Sequence, residues 1–202
     1  MTWWLRSRRV TSLLPTAFAF FLLLVLTLQD RWVVMPSFLA GSMPVPLVLS
    51  LPVPLSAAVG MCLDSGLADA EAQGTRRVRA LDAALVLAVV GAAAGTGLFA
   101  WTTLGASDDA LAVGRNTAFL MGVMLLLRAV AGPRGVMAPI VWIFLVLFLG
   151  RGSAGQPFFW TVLPRGSGDP VAAVAAGVSL AAGLLALLLG RGSPVGEGHG
   201  RN

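Results

Sequence analysis

Long apolar stretches alternate with short segments that carry most of the charge. Six such stretches are marked out, at residues 13–28, 43–63, 80–104, 110–131, 136–149 and 171–189. A helix of about twenty apolar residues crosses the roughly 30 Å of bilayer hydrocarbon while satisfying its own backbone, whereas the same surface is costly in water. The pattern predicts an all-α, polytopic integral membrane protein: a single transmembrane domain over residues 1–190 with about six spans. Ahead of the first span, Trp3 and Trp4 beside Arg6, Arg8 and Arg9 predict a short interfacial helix, rings among headgroups and guanidinium groups in water. Residues 191–202 form a glycine-rich tail for which disorder is expected.

The spans differ in ways that matter. The first follows a basic segment, as a signal peptide does, but no small-x-small cleavage site comes soon after it. The second contains Pro44, Pro46, Pro52 and Pro54, and the last two predict a kink or break near residues 50–55. Such a helix either packs on its neighbours or, if discontinuous, lines a transport path. In the third, Gly91 and Gly95 share a helix face open to close packing, and Ala173, Gly177 and Ala181 repeat the device in the sixth. Ser107 or Asp108 is placed to cap the fourth, and residues 132–135 make a tight turn into the fifth. The fifth is short: about fourteen residues give about 21 Å of helix, so it must borrow flanking residues, thin the bilayer or stop short of crossing.

Polar residues inside or beside the spans are the candidate functional positions. Asp64, Asp69, Glu71, Arg76, Arg77 and Arg79 lie in the polar segment after the second span, a solvated connector unless a partner docks there. Arg115, Asn116 and Arg128 lie on the fourth span. The two arginines are separated by only about 18 Å of helix, so at least one must snorkel or be paired. Arg128 sits near a span end and suits snorkelling. Arg115 and Asn116 lie about two turns in, where they either bond Asp108, Asp109 or backbone carbonyls, or mark a polar point on a substrate path. Between the last two spans, residues 157–164 form an apolar patch with Phe158, Phe159 and Trp160, too short to cross. It is expected to dip into the interface as a lid, a re-entrant helix or an aromatic anchor.

Composition supports the membrane reading. Hydrophobic residues make up 57% and charged residues 11%, against about 25% charged in a soluble domain. All fourteen basic residues are arginine and there is no tyrosine, a bias that fits a bacterial genome rich in G and C. The net charge of +5 is scattered over span ends rather than gathered into a stripe, so nucleic acid is not an expected partner and the lipid bilayer is. With the N-terminus inside, Arg6, Arg8, Arg9, Arg76, Arg77, Arg79, Arg134 and Arg191 are cytoplasmic. Arg31, Arg151 and Arg165, with Asp30, Asp108, Asp109 and Asp169, are external. The positive-inside rule then places both termini in the cytoplasm of a bacterial cell, the chain being multi-pass in its plasma membrane.

Catalysis has few candidate parts. Cys62 is the single cysteine, so no intrachain disulfide or multi-cysteine metal site can form, and packing is its expected role. The single histidine, His199, lies in the tail. No nucleophile elbow, zinc-binding helix or phosphate loop occurs, and no cofactor or metal is expected.

The Trp- and Arg-bearing leader, six spans, the polar loop after the second and the apolar dip between the last two together resemble the membrane subunit of a type-2 ATP-binding-cassette exporter. The run Gly114-Arg115-Asn116-Thr117 with Gly132-Pro133-Arg134 is similar to actinobacterial permease-like membrane proteins. The resemblance implies that residues 64–79 dock on a separate ATPase and that residues 1–10 act as a connecting helix. It also implies that a second set of helices, homo- or heterodimeric, completes a path for export of a small molecule or peptide by alternating access. The chain is shorter than familiar members, which leaves room for a non-transporting scaffold or accessory subunit. An intramembrane enzyme is the third and weakest reading.

Overall fold

The computed structural model describes residues 10–28, 31–38, 41–65, 76–152 and 156–189. Its helices are α1 (Val10–Leu28), α2 (Pro52–Asp64), α3 (Arg76–Leu104), α4 (Asp109–Ala131), α5 (Ala138–Leu149) and α6 (Pro170–Leu189). Among the described residues four helices, α1, α3, α4 and α6, are long and apolar enough to cross a membrane, α5 continuing from α4 through a 3₁₀ segment, Gly132–Met137. The chain is therefore a mostly helical, multi-pass membrane protein. The expected interfacial leader and disordered tail lie outside the described residues.

The second expected span is where the structure departs from an all-helical chain. Strand β1 (Trp32–Ser37) pairs antiparallel with β2 (Gly41–Pro46), from Trp32 opposite Pro46 to Ser37 opposite Gly41. A 3₁₀ turn, Leu47–Ser50, follows, and the helix begins only at Pro52. Proline explains the correction. Pro44 and Pro46 remove two backbone donors two residues apart, which a helix interior does not tolerate but an edge strand does. Pro52 and Pro54 sit in the first turn of α2, where the missing N–H groups have no helical partner anyway, so the expected break is a helix start. Gly41, with φ of 71°, takes the left-handed conformation beside the hairpin turn.

Two sets of contacts define the ends of the bundle. At the hairpin end, Phe38 N–H donates to Phe148 O at 3.2 Å, joining β1's turn to the end of α5. At the opposite end, the Arg79 guanidinium donates to Leu188 O at 3.2 Å, serving a carbonyl in the last turn of α6 that has lost its helical donor. Val10, Cys62 and Leu85 cluster there too, bringing together the start of α1, the end of α2 and the early part of α3.

α4 is the centre of the bundle, and small residues let its neighbours approach it. A Cβ on Gly114 would lie 2.6 Å from Ala94 Cα of α3, and one on Gly122 would collide with the backbone of Ser179 in α6. Ser179 Oγ adds a bond to Phe119 O at 3.2 Å. The faces read from sequence are different ones: Gly91, Gly95 and Gly177 have nothing within 4 Å of a built Cβ, and Ala173 and Ala181 are exposed. Gly97, Gly114, Gly122 and Gly183 do the packing. The main core joins Phe21 and Val25, Leu55 and Val59, Val86 and Val89, and Met121 and Met124 from α1 to α4.

Candidate functional site

A buried tripeptide in the stretch before α6 is the most unusual feature at the hairpin end. Thr161, Val162 and Leu163 are buried although their backbone is neither helix nor strand. Val162 and Leu163 pack against Phe119 and Leu120 of α4, Ile143 of α5, and Ala172 and Ala176 of α6. Irregular backbone is tolerated at membrane depth only when the protein satisfies its polar groups.

Arg115 and Asn116 supply that satisfaction. Arg115 donates to Gly166 O at 2.6 Å, Arg165 O at 2.7 Å and Val162 O at 3.4 Å. Asn116 is buried; its Nδ2 reaches Leu163 O at 3.4 Å and its Oδ1 accepts from Arg115 at 3.2 Å. The planar fork of an arginine can serve several carbonyls at once, which a lysine cannot do in the same geometry. Of the alternatives open in the sequence, bonding to backbone carbonyls is the one found; Asp108 and Asp109 are not hydrogen-bonded to Arg115. Asp108 does not cap α4 with its side chain either, and its Oδ1 accepts from Trp101 Nε1 at 3.1 Å.

The segment is tied internally as well. Asp169 Oδ1 accepts from Val171 N at 2.8 Å and Ala172 N at 3.1 Å, an N-cap with Pro170 as the first helical residue. Its Oδ2 accepts from Arg165 at 2.9 Å, and Arg165 Nε donates to Thr161 O at 3.0 Å. The Ala172 N–H bond and then the Arg165 guanidinium hold the Asp169 carboxyl below the usual carboxylate range. Phe158 and Trp160 are stacked and Trp160 meets Trp142 of α5 edge to face, while Phe159 between them is exposed.

At the opposite end, two residues taken from separate candidate groups meet. Arg128 of α4 forms an ion pair with Asp64 at the end of α2. Gly135 presses on the backbone of Arg128, so the 3₁₀ turn folds back on α4. Arg76 and Arg77 open α3, while Asp69 and Glu71 lie outside the described residues. The structure thus brings Arg115 to Asn116 and Asp64 to Arg128, but does not bring Arg128 to Arg115.

Residues that the sequence reading did not single out are Arg165 and Asp169. The signal was present: Asp followed by Pro ahead of an apolar run is an N-cap with its first helical residue. Among the described residues no group of histidine, cysteine and carboxylate side chains has the arrangement of a metal site. No protein-family model matches the chain, and no curated protein or solved structure matches it.

Proposed function

We propose that this chain is the membrane-embedded permease subunit of a bacterial transport complex whose ATPase is a separate polypeptide. In this reading six passes run between cytoplasmic termini, α2 and α5 completing theirs with the flanking turns. The arginine excess at residues 1–9, 76–79, 128–134 and 191 faces the cytoplasm of a bacterial plasma-membrane protein. The observation that carries the proposal is the closure of one bundle end by an irregular segment held by side chains instead of being built into a helix. Such a closure opens by exchanging a few hydrogen bonds, without unfolding a span.

The other end supplies the input. Residues 64–79 carry the charge that a docking protein would meet, and Asp64 at their start is paired with Arg128, so a protein docking there would act on α2 and, through the ion pair, on α4, the helix that holds the closing segment. ATP-driven movement of the partner would rock α4 and release the segment, with a second set of helices enclosing the path. The cargo class is a small molecule or peptide.

Protein purified in mild detergent from native membranes carries a phosphate-loop ATPase if this is right, and replacing Asp69, Glu71 and Arg76 together by alanine strips it away. A wild-type preparation without such an ATPase and without ATP hydrolysis refutes the proposal. One observation favours a second reading, a non-transporting scaffold: Arg115 and Asn116 are engaged in holding the loop, and the main core is apolar. A scaffold co-purifies with a complex whose transport is unchanged by Arg115→Ala with Asn116→Ala.

A further inference from the structure

Four arginines are described at the hairpin end, and their situations differ. Arg165 is paired with Asp169, and Arg115 serves the carbonyls of Val162, Arg165 and Gly166. Arg31 is exposed. Arg151 is half-buried, yet among the described residues its guanidinium makes no hydrogen bond or ion pair. Five strong donors in that position call for an acceptor from outside the chain.

The surroundings of Arg151 indicate which acceptor. It lines a cleft with Met35, Ser37 and Val45 of the hairpin, Val146 and Leu147 of α5, and Pro164 of the segment before α6, where the three converge. The cleft has room for about one water-sized group, so it admits a single oxygen of a larger ligand whose remainder stays outside. Earlier on α5, Val141, Phe144 and Leu145 are exposed, an apolar surface for hydrocarbon. Trp32, Phe38 and Phe159 are also exposed at this end, as aromatic side chains are at the headgroup level of a bilayer. The backbone around Arg151 is fixed: Gly152 N–H donates to Gln156 O and Phe158 N–H to Gly150 O, each at 3.0 Å. Ser37 Oγ donates to Phe148 O at 3.2 Å and keeps its lone pairs for a hydroxyl.

We propose that Arg151 anchors the phosphate of an anionic phospholipid in the leaflet at the hairpin end, with an acyl chain lying along α5. The guanidinium meets two phosphate oxygens in its fork, one of them entering the cleft. A hydroxylated headgroup such as glycerol adds a donor to Ser37. The guanidinium of Arg151, which has no carboxylate paired with it among the described residues, favours a net negative lipid over a zwitterionic one. The proposal rests on the membrane reading of the fold and not on the transport reading.

The full chain, purified in detergent and delipidated, is titrated with phosphatidylglycerol or phosphatidylcholine, and bound lipid is counted by native mass spectrometry. Wild-type protein takes up phosphatidylglycerol in preference to phosphatidylcholine. Arg151→Gln weakens that binding about ten- to a hundredfold, the loss expected for a charge-assisted pair. Arg151→Lys, which keeps the charge but not the fork, loses less, and Arg31→Gln leaves the binding unchanged. Phosphatidylglycerol bound equally by wild type and Arg151→Gln overturns the site. So does displacement of the lipid by millimolar inorganic phosphate, which would make it a site for free anions. Equal uptake of phosphatidylcholine overturns the anionic preference. Wild-type protein that is monodisperse without detergent and takes up neither lipid overturns the membrane reading itself, a result distinct from lipid binding that ignores Arg151.

Discussion

Replacing Arg115 by alanine removes the donors that hold the irregular segment before α6, and the cost follows from where each accepting carbonyl lies. The bond to Gly166 O, at 2.6 Å, is at the exposed edge, where water takes over and little is lost. The bond to Arg165 O, at 2.7 Å, is partly buried and charge-assisted. That to Val162 O, at 3.4 Å, is long and contributes little. Asn116 stays on Leu163 O but loses its partner at Oδ1. One charge-assisted bond and one weakened amide together give about 2–3 kcal/mol. Because Val162 and Leu163 remain apolar and packed, the segment should loosen locally while the helices persist. Hydrogen exchange in a lipid nanodisc reads this directly at the amides of Thr161, Arg165 and Asp169, each bonded to a carbonyl three residues back. Their exchange should quicken by about thirty- to a hundred-and-fiftyfold, with amides of α1 and α3 unchanged. Arg115→Lys should fall between. Protection of residues 156–169 that stays within a factor of about three of wild type would refute the clamp, since no partly buried bond of this kind is worth so little.

Three further outcomes follow from the geometry. Asp64→Asn and Arg128→Gln should each cost up to about 1 kcal/mol, because the pair is partly exposed, and the reversed pair Asp64→Arg with Arg128→Asp should recover most of it in thermal melts; additive losses would show that the two do not interact. Gly122→Ala should destabilise by about 1–3 kcal/mol through collision with Ser179, whereas Gly91→Ala and Gly95→Ala should stay within about 0.5 kcal/mol, and equal effects would sink the packing assignment. The depressed Asp169 carboxyl contributes stability that is present above the ordinary carboxylate range and is lost as pH falls through its lowered folded value. Asp169→Asn keeps a capping side chain but not the charge, so exchange at residues 165–172 should lose that acid dependence; an unchanged pH profile would contradict the Arg165 pairing.

How much of this was legible depends on whether a feature is local. Helices α1, α3, α4 and α6 follow from apolar runs bounded by charge, and each begins within four residues of the expected position. The hairpin was hidden because Val45, Leu47 and their neighbours are as apolar as a span, and only the spacing of Pro44 and Pro46 argued for extended backbone. The packing faces were misread for a different reason. In a chain with 24 glycines, spacing by four recurs on every side of a helix, and which side meets a neighbour is settled by other helices. Arg115 and Asn116 were visible as anomalies, but their partners are carbonyls about fifty residues away, and carbonyls have no sequence signature. Asp64 and Arg128 were sorted into separate groups because the turn that closes α4 over the end of α2 depends on Gly135 meeting a backbone, a purely three-dimensional fact.

The dependence of α4 on the later segment has a consequence for how the protein is made. Arg115 leaves the ribosome 47 residues ahead of Val162, the first carbonyl it serves. In that interval a guanidinium rides in lipid without its ligands, at a cost on the order of 2–3 kcal/mol. A nascent chain halted between Ala131 and Val162 would therefore hold its fourth helix loosely at the translocon, exposed to membrane proteases. The arrival of the carbonyls of residues 162–166 removes that cost and fixes the fourth helix in place.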